Sequence, residues 1–131
     1  MLTRRTGVFA AITAFGLITT GAALAEPVKP FTPALFDAAK AAGKPILLEV
    51  TAPWCPTCKA QKPILSELTA DPKFRDLVVL EIDFDSQKEP LRALKVQSQS
   101  TLIVFKGEAE TGRSTGDTKR ESIAALLNGA L

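Results

Sequence analysis

Histidine and tyrosine are absent from the 131 residues, cysteine occurs twice and tryptophan once. Without an imidazole the chain can build neither a Cys–His or Ser–His nucleophilic pair nor a histidine zinc centre. A long apolar run is missing as well. The uncharged stretch from Gly7 to Thr20 is dotted with Gly and Thr and falls short of the roughly 18 uninterrupted apolar residues that a membrane span needs. What remains is 46% hydrophobic and 23% charged, which suits one globular domain with a modest core.

Residues 1–25 read differently from the rest. Arg4 and Arg5 lie in a charged start, an apolar stretch follows, and Ala23 to Ala25 form a small-x-small exit, the pattern of a cleaved secretory signal peptide. The paired arginines of TRRTGVF fit a twin-arginine export signal poorly, because Gly7 stands where a bulky apolar residue is usual. Cleavage near Ala25 would leave a domain of residues 26–131 in the periplasm or outside the cell, where disulfides form and persist. It would also remove two arginines and no acids from the 16 basic and 14 acidic residues, bringing the formal charge to zero. No basic stripe is left for nucleic acid.

Glu26 to Phe31 reads as a loosely held, Pro-containing lead. Thr32 and Pro33 start a helix that Gly43 ends, with Ala34, Leu35, Ala38, Ala39 and Ala42 at helical spacing. Pro45 to Ala52 is a nearly continuous apolar run, as in a buried central strand, with Glu49 as its anomaly. Ile64, Leu65 and Leu68 place a helix after Cys55, running to about Thr69 and kinked at Pro63. Leu77 to Phe84, entered through the turn at Asp71 and Pro72, is a second buried strand. A short helix at Glu89 to Leu94 begins with Pro90. Thr101 to Phe105 and Glu110 to Thr115 form an antiparallel pair, and Ser122 to Leu127 a closing amphipathic helix. This order predicts an α/β fold, a mixed sheet with helices on both faces, and places Cys55 and Cys58 between a buried strand and the next helix. Phe31, Phe36, Phe74, Phe84 and Phe105 are core candidates. Lys59 and Lys62 read as a solvated helix face, although Lys59 could bias Cys55 electrostatically, and Glu81, Asp83 and Asp85 read as solvent-facing acids.

The two cysteines in TAPWCPTCKA admit three readings: a structural disulfide, half of a metal site, or a redox pair. A ring this short constrains little of the unfolded chain and stabilises weakly. Zinc wants four ligands where the chain offers two sulfurs, so a metal role would involve copper(I) or a cluster shared between chains.

With the strand ILLEV, then WCPTC, Pro63 eight residues past Cys55, the strands VVLEID and TLIVFKGE, and Gly116 before the last helix, the chain resembles the thioredoxin family from about Leu35 to Leu127. The resemblance implies a thioredoxin-like fold and a thiol–disulfide oxidoreductase. Peptide dipoles at the helix start favour a thiolate at Cys55, the expected nucleophile, with Cys58 more buried and resolving the mixed disulfide. Glu49, six residues before Cys55, occupies the position of the family's buried acid; desolvation should raise its pKa and let it take the Cys58 proton, directly or by way of water. Trp54, Pro56, Thr57, Gln99, Ser100 and Thr101 are the expected substrate contacts.

One position departs from the family. Where thioredoxins carry a cis-proline before the Thr of the facing strand, this chain has Ser100. A non-proline cis bond costs about 2.5–4 kcal/mol, so a trans Gln99–Ser100 peptide is predicted. The missing proline, which in the family shapes the substrate groove and hinders metals, keeps a metal-handling module open as the alternative function. A thioredoxin fold kept only as a binding scaffold is a third possibility. The absence of histidine between the cysteines favours a reductant over an oxidant. No cofactor beyond the Cys55–Cys58 disulfide is expected, and no dedicated metal ligands. The expected partners are protein thiols and disulfides, with a membrane thiol transporter as electron donor to a monomer.

Overall fold

The computed structural model describes residues 26–131 and the isolated Gly16 and Gly21. The expected signal peptide and its cleavage point lie outside the described residues.

Five strands make one sheet. They are β1 (Lys29–Pro30), β2 (Pro45–Thr51), β3 (Val78–Asp83), β4 (Thr101–Lys106) and β5 (Ala109–Thr115), in the spatial order β1-β3-β2-β4-β5. β1, β3 and β2 run parallel, and β4 and β5 are antiparallel additions on the other side of β2. β2 is therefore central, flanked by β3 and β4, and its five residues from Ile46 to Val50 are all buried. That double burial is why its sequence is apolar without alternation.

Side chains alternate across the sheet and fill two cores. On one face Ile46, Leu48 and Val50 pack with Phe31, Phe36, Phe105 and Leu91 beneath α1 (Pro33–Ala41) and α3 (Lys88–Ala93). On the other, Leu47, Val79, Leu102 and Val104 meet Leu65, Leu68, Ile123 and Leu127 from α2 (Pro56–Thr69) and α4 (Arg120–Asn128). Each fully buried aliphatic side chain stabilises the fold by about 1.5–3 kcal/mol.

The helix signals in the sequence have direct counterparts. Thr32 caps α1, its Oγ1 accepting the Leu35 N–H at 3.1 Å, and Pro33 occupies the first turn, where no amide donor is needed. Gly43, at φ +68°, turns the chain out of that helix into β2. α2 continues through Pro63 to Thr69, and the expected turn at Asp71 and Pro72 is a short 3-10 helix, Pro72–Phe74, capped by Asp71. α3 begins at Lys88, two residues before Pro90.

The segment Glu26 to Phe31 is not the loose lead that its sequence suggests. β1 pairs with β3, Lys29 opposite Leu80 and Pro30 opposite Glu81. The Phe31 N–H then donates to the Glu81 carbonyl at 2.8 Å, and the Phe31 ring is buried 5.6 Å from that of Phe36. A proline-bearing strand is tolerated because β1 is an edge. Phe84, expected in the core, is half-buried and packs beside the cysteines.

Candidate active site

The chain leaves β2 at Thr51, turns through Ala52 to Trp54 and enters α2 at Pro56, so Cys55 is the residue that caps the helix. Its backbone is extended, φ −87° and ψ 107°, and its N–H donates to the Ala52 carbonyl at 3.2 Å. Cys55 Sγ accepts the main-chain N–H of Cys58 at 3.1 Å, the role a serine or aspartate oxygen plays in an ordinary cap. Cys55 and Cys58 form a disulfide across a Cα–Cα distance of 5.3 Å.

Ser100 faces this pair from the loop before β4. Its hydroxyl oxygen lies 3.1 Å from Cys55 Sγ and 3.1 Å from Cys58 Sγ. The Gln99–Ser100 peptide is trans, as expected, but the residue itself takes φ +63°, a left-handed conformation unusual for a residue with a side chain. Three hydrogen bonds to its main chain hold it there. The Ser100 N–H donates to the Val50 carbonyl at 2.8 Å, and its carbonyl accepts from Gly116 N–H at 3.0 Å and from Gln61 Nε2 at 3.2 Å. Gln61 also donates to the Asp117 carbonyl at 2.9 Å, tying α2 to the loops on both sides of the β4–β5 pair. Sequence reasoning missed Gln61. Its signal was there: a polar residue on the helical stripe Cys58, Gln61, Leu65, Leu68 that packs inward.

The expectation that Cys58 would be the more buried sulfur is corrected. Cys55 is 1% exposed and Cys58 3%. Ala52 and Phe84 pack around both, and the Ser100 loop lies over them where a family member would carry a proline. Cys58, not Cys55, lines the adjoining surface cleft, together with Thr51, Pro53, Lys59, Lys62, Glu81 and Asp83. The surroundings of Cys55 are nevertheless polar on two sides, with a peptide N–H and a hydroxyl in contact with its sulfur.

Glu49 points to the α2 face of β2 and is 8% exposed. Burial raises its carboxyl pKa above the ordinary 4.5; Lys62 works against that rise and Glu81 adds to it. Glu49 and Glu81 are register partners on adjacent parallel strands, and Lys62 Nζ meets Glu81 Oε2 at 2.8 Å. The cleft lined by Glu49 shares Lys62 and Glu81 with the cleft lined by Cys58. Lys62 and Glu81, besides being partly exposed, line both the cleft that holds the buried carboxyl and the cleft that holds Cys58, a polar wall common to the two.

Trp54 is 56% exposed, and its Nε1–H donates to Asp85 Oδ2 at 2.9 Å. Asp83 Oδ1 accepts the N–H groups of Asp85 and Ser86, which shapes the turn that presents Asp85 and keeps the Asp83 carboxyl below its ordinary pKa. Pro56 is exposed, and Thr57 and Gln99 are half-buried at the same end of the sheet. Thr101 does not fit its expected role. Its side chain is buried, donates to the Ser98 carbonyl at 2.8 Å and contacts Thr115 Oγ1 at 3.0 Å, so the hydroxyl braces the loop rather than facing the cysteines. Among the described residues no three His, Cys, Asp or Glu side chains gather as a metal site.

The family model described as Thioredoxin matches residues 27–129. A thioredoxin H-type from Brassica campestris is 36% identical over 90 residues, 69% of this chain and 72% of the relative. Thioredoxin H2-1 of Oryza sativa is 32% identical over 87 residues, a match that spans 66% of this chain and 62% of the relative's length. Among solved structures, Trxlp from Edwardsiella tarda EIB202 is 42% identical with a TM-score of 0.75, covering 77% of this chain and 98% of that one.

Proposed function

This chain belongs to the thioredoxin family of thiol–disulfide oxidoreductases, and on that premise we propose that it is an exported protein disulfide reductant in which Cys55 attacks and Cys58 resolves. The observation that carries the assignment of roles is the cap. Cys55 Sγ receives the Cys58 N–H at the positive end of a 14-residue helix that has no acidic side chain in its first turn. A sulfur so placed is stabilised as the thiolate, the species that attacks disulfides.

In the reduced protein the Cys55 thiolate attacks one sulfur of a substrate disulfide. A Cys55–substrate disulfide forms and the other substrate sulfur leaves as a thiolate. Cys58 then loses its proton and attacks Cys55 Sγ; the Cys55–Cys58 disulfide closes and the second substrate sulfur departs. Two electrons pass to the substrate, and an external dithiol returns them by the reverse sequence. Glu49 is the proposed acceptor of the Cys58 proton, through the cleft walled by Lys62 and Glu81. A buried carboxyl of raised pKa is a better base for a thiol than an ordinary one.

The uncharged Pro56 and Thr57 between the cysteines support the reducing direction, since neither adds positive charge to hold the thiolate. Trp54, Pro56, Thr57 and Gln99 are the proposed contacts for the protein substrate. The redox disulfide serves as the whole cofactor, the donor is a membrane thiol transporter, and the working compartment is the periplasm or the exterior, after cleavage near Ala25. The test is exchange with a disulfide-bonded protein by wild type and by Cys58→Ser. Turnover by wild type and a stable Cys55-linked adduct with the variant support the reading. Stoichiometric metal uptake with no exchange, or inactivity in both assays, overturns it.

A further inference from the structure

Ser100 is a buried hydroxyl, 3% exposed, whose oxygen has two partners, the Sγ atoms of Cys55 and Cys58. One hydroxyl carries one proton to donate. In the disulfide neither sulfur has a proton or a charge, so that donor faces two weak acceptors. In the dithiol state one of them becomes a thiolate, a strong acceptor in a site from which water is largely excluded. The bond is therefore worth more in the reduced protein than in the oxidised one.

Resting on the assignment of Cys55 and Cys58 as a redox pair, we propose that the Ser100 hydroxyl is a catalytic hydrogen-bond donor that stabilises whichever of the two sulfurs carries the negative charge. In the resting dithiol it donates to the Cys55 thiolate and accepts from the Cys58 S–H. In the mixed disulfide Cys55 Sγ is neutral, and the hydroxyl rotates to donate to the Cys58 thiolate as that sulfur loses its proton. No proton leaves the hydroxyl and no bond of Ser100 is broken. Electrons move only between sulfurs.

The backbone supports this assignment. Side-chain-bearing residues avoid φ +63°, yet Ser100 is fixed there by Val50, Gly116 and Gln61, with its Oγ 3.1 Å from both sulfurs. A glycine would take that backbone more readily, so conformational need alone does not account for a serine. Gln61 acts as a positioning residue, since it reaches Ser100 only through the carbonyl.

Ser100→Gly keeps the left-handed backbone and removes the hydroxyl. Its backbone relief applies equally to oxidised and reduced protein and cancels from the redox equilibrium. Thiolate absorbance of the reduced protein against pH should show the Cys55 pKa higher by about one unit than in wild type. Equilibration with a glutathione or dithiothreitol couple should favour the disulfide by up to about tenfold more, which is about 30 mV toward a more negative potential. Ser100→Ala, which keeps the β-carbon, should behave alike and stands in should the glycine variant fold poorly. An unchanged pKa and potential in the folded variants would overturn the proposal while leaving the oxidoreductase intact. Absence of disulfide exchange in wild type would instead remove the functional reading, whatever the pKa of Cys55.

Discussion

The main-chain N–H of Cys58 points at Cys55 Sγ from 3.1 Å, so the disulfide closes across a helix cap. The cap gives the two sulfurs different chemistry despite nearly equal burial. One lies at the mouth of α2 and receives the free Cys58 amide; the other lies inside the first turn, 3.9 Å from the Val50 carbonyl, beside a group that repels negative charge. The proposed assignment of nucleophile and resolving thiol rests on that asymmetry rather than on exposure.

Glu49→Gln should separate stability from turnover. The Glu49 carboxyl titrates above 4.5 because it is buried. Below about pH 4 it is neutral in both folded and unfolded chains and makes no difference between them. As pH rises toward the elevated value, the unfolded chain ionises first and wild-type stability falls; above that value the loss is complete and constant. Glutamine does not titrate. Urea unfolding from pH 4 to 9 should therefore show the variant gaining on wild type through this window and holding the gain, while single-turnover resolution by Cys58 slows. A pH-independent stability difference would place the carboxylate in water.

Lys62→Met tests the wall between Glu49 and Cys58. The Lys62–Glu81 pair is about half exposed, so its loss should change stability by no more than about 1 kcal/mol. The pH profile should move more. Without the nearby cation the Glu49 pKa rises further, and the pH dependence of resolution shifts upward with it. An unshifted profile would mean that Lys62 does not sense the buried acid.

Ser100→Pro, the substitution that restores the family residue, should be harmful in this backbone. Proline fixes φ near −65°, whereas Ser100 sits at +63°, and proline cannot donate to the Val50 carbonyl. The unpaired carbonyl alone costs about 1–3 kcal/mol. Chemical denaturation should show a loss at least that large. Wild-type stability with full activity would show that the loop has a second, proline-compatible conformation of equal free energy.

Phe31→Ala should destabilise the domain by about 3–5 kcal/mol, the range for a buried aromatic truncated in a core. An exposed lead would lose almost nothing. The midpoint of urea unfolding distinguishes the two.

The difference between α1 and β1 shows what the sequence makes legible. α1 is written locally, in a capping Thr32, a first-turn Pro33 and an apolar stripe, and β2 in an uninterrupted apolar run. β1 has no pattern of its own: its two residues are a strand only because β3 presents an unpaired edge and Phe31 has a core to enter. The site divides in the same way. The cap at Cys55 and the buried acid at Glu49 follow from neighbours in sequence. The cover over Cys55, the Gln61 tether, the Trp54–Asp85 bond and the Lys62–Glu81 wall join residues 19 to 56 positions apart. Asp85 and Glu81 looked like solvent-facing acids because their partners are fixed by tertiary packing alone.

The central claim is that Cys55 is the ionised, attacking sulfur. Its most direct measurement is site-resolved alkylation of the reduced wild-type protein across pH, read by mass spectrometry of the two cysteines. Cys55 is expected to be modified first, with an apparent pKa below the ordinary thiol value of about 8.5, and Cys58 to react only at higher pH. Modification of Cys58 first, or of both sulfurs with an apparent pKa at or above that value, would contradict it.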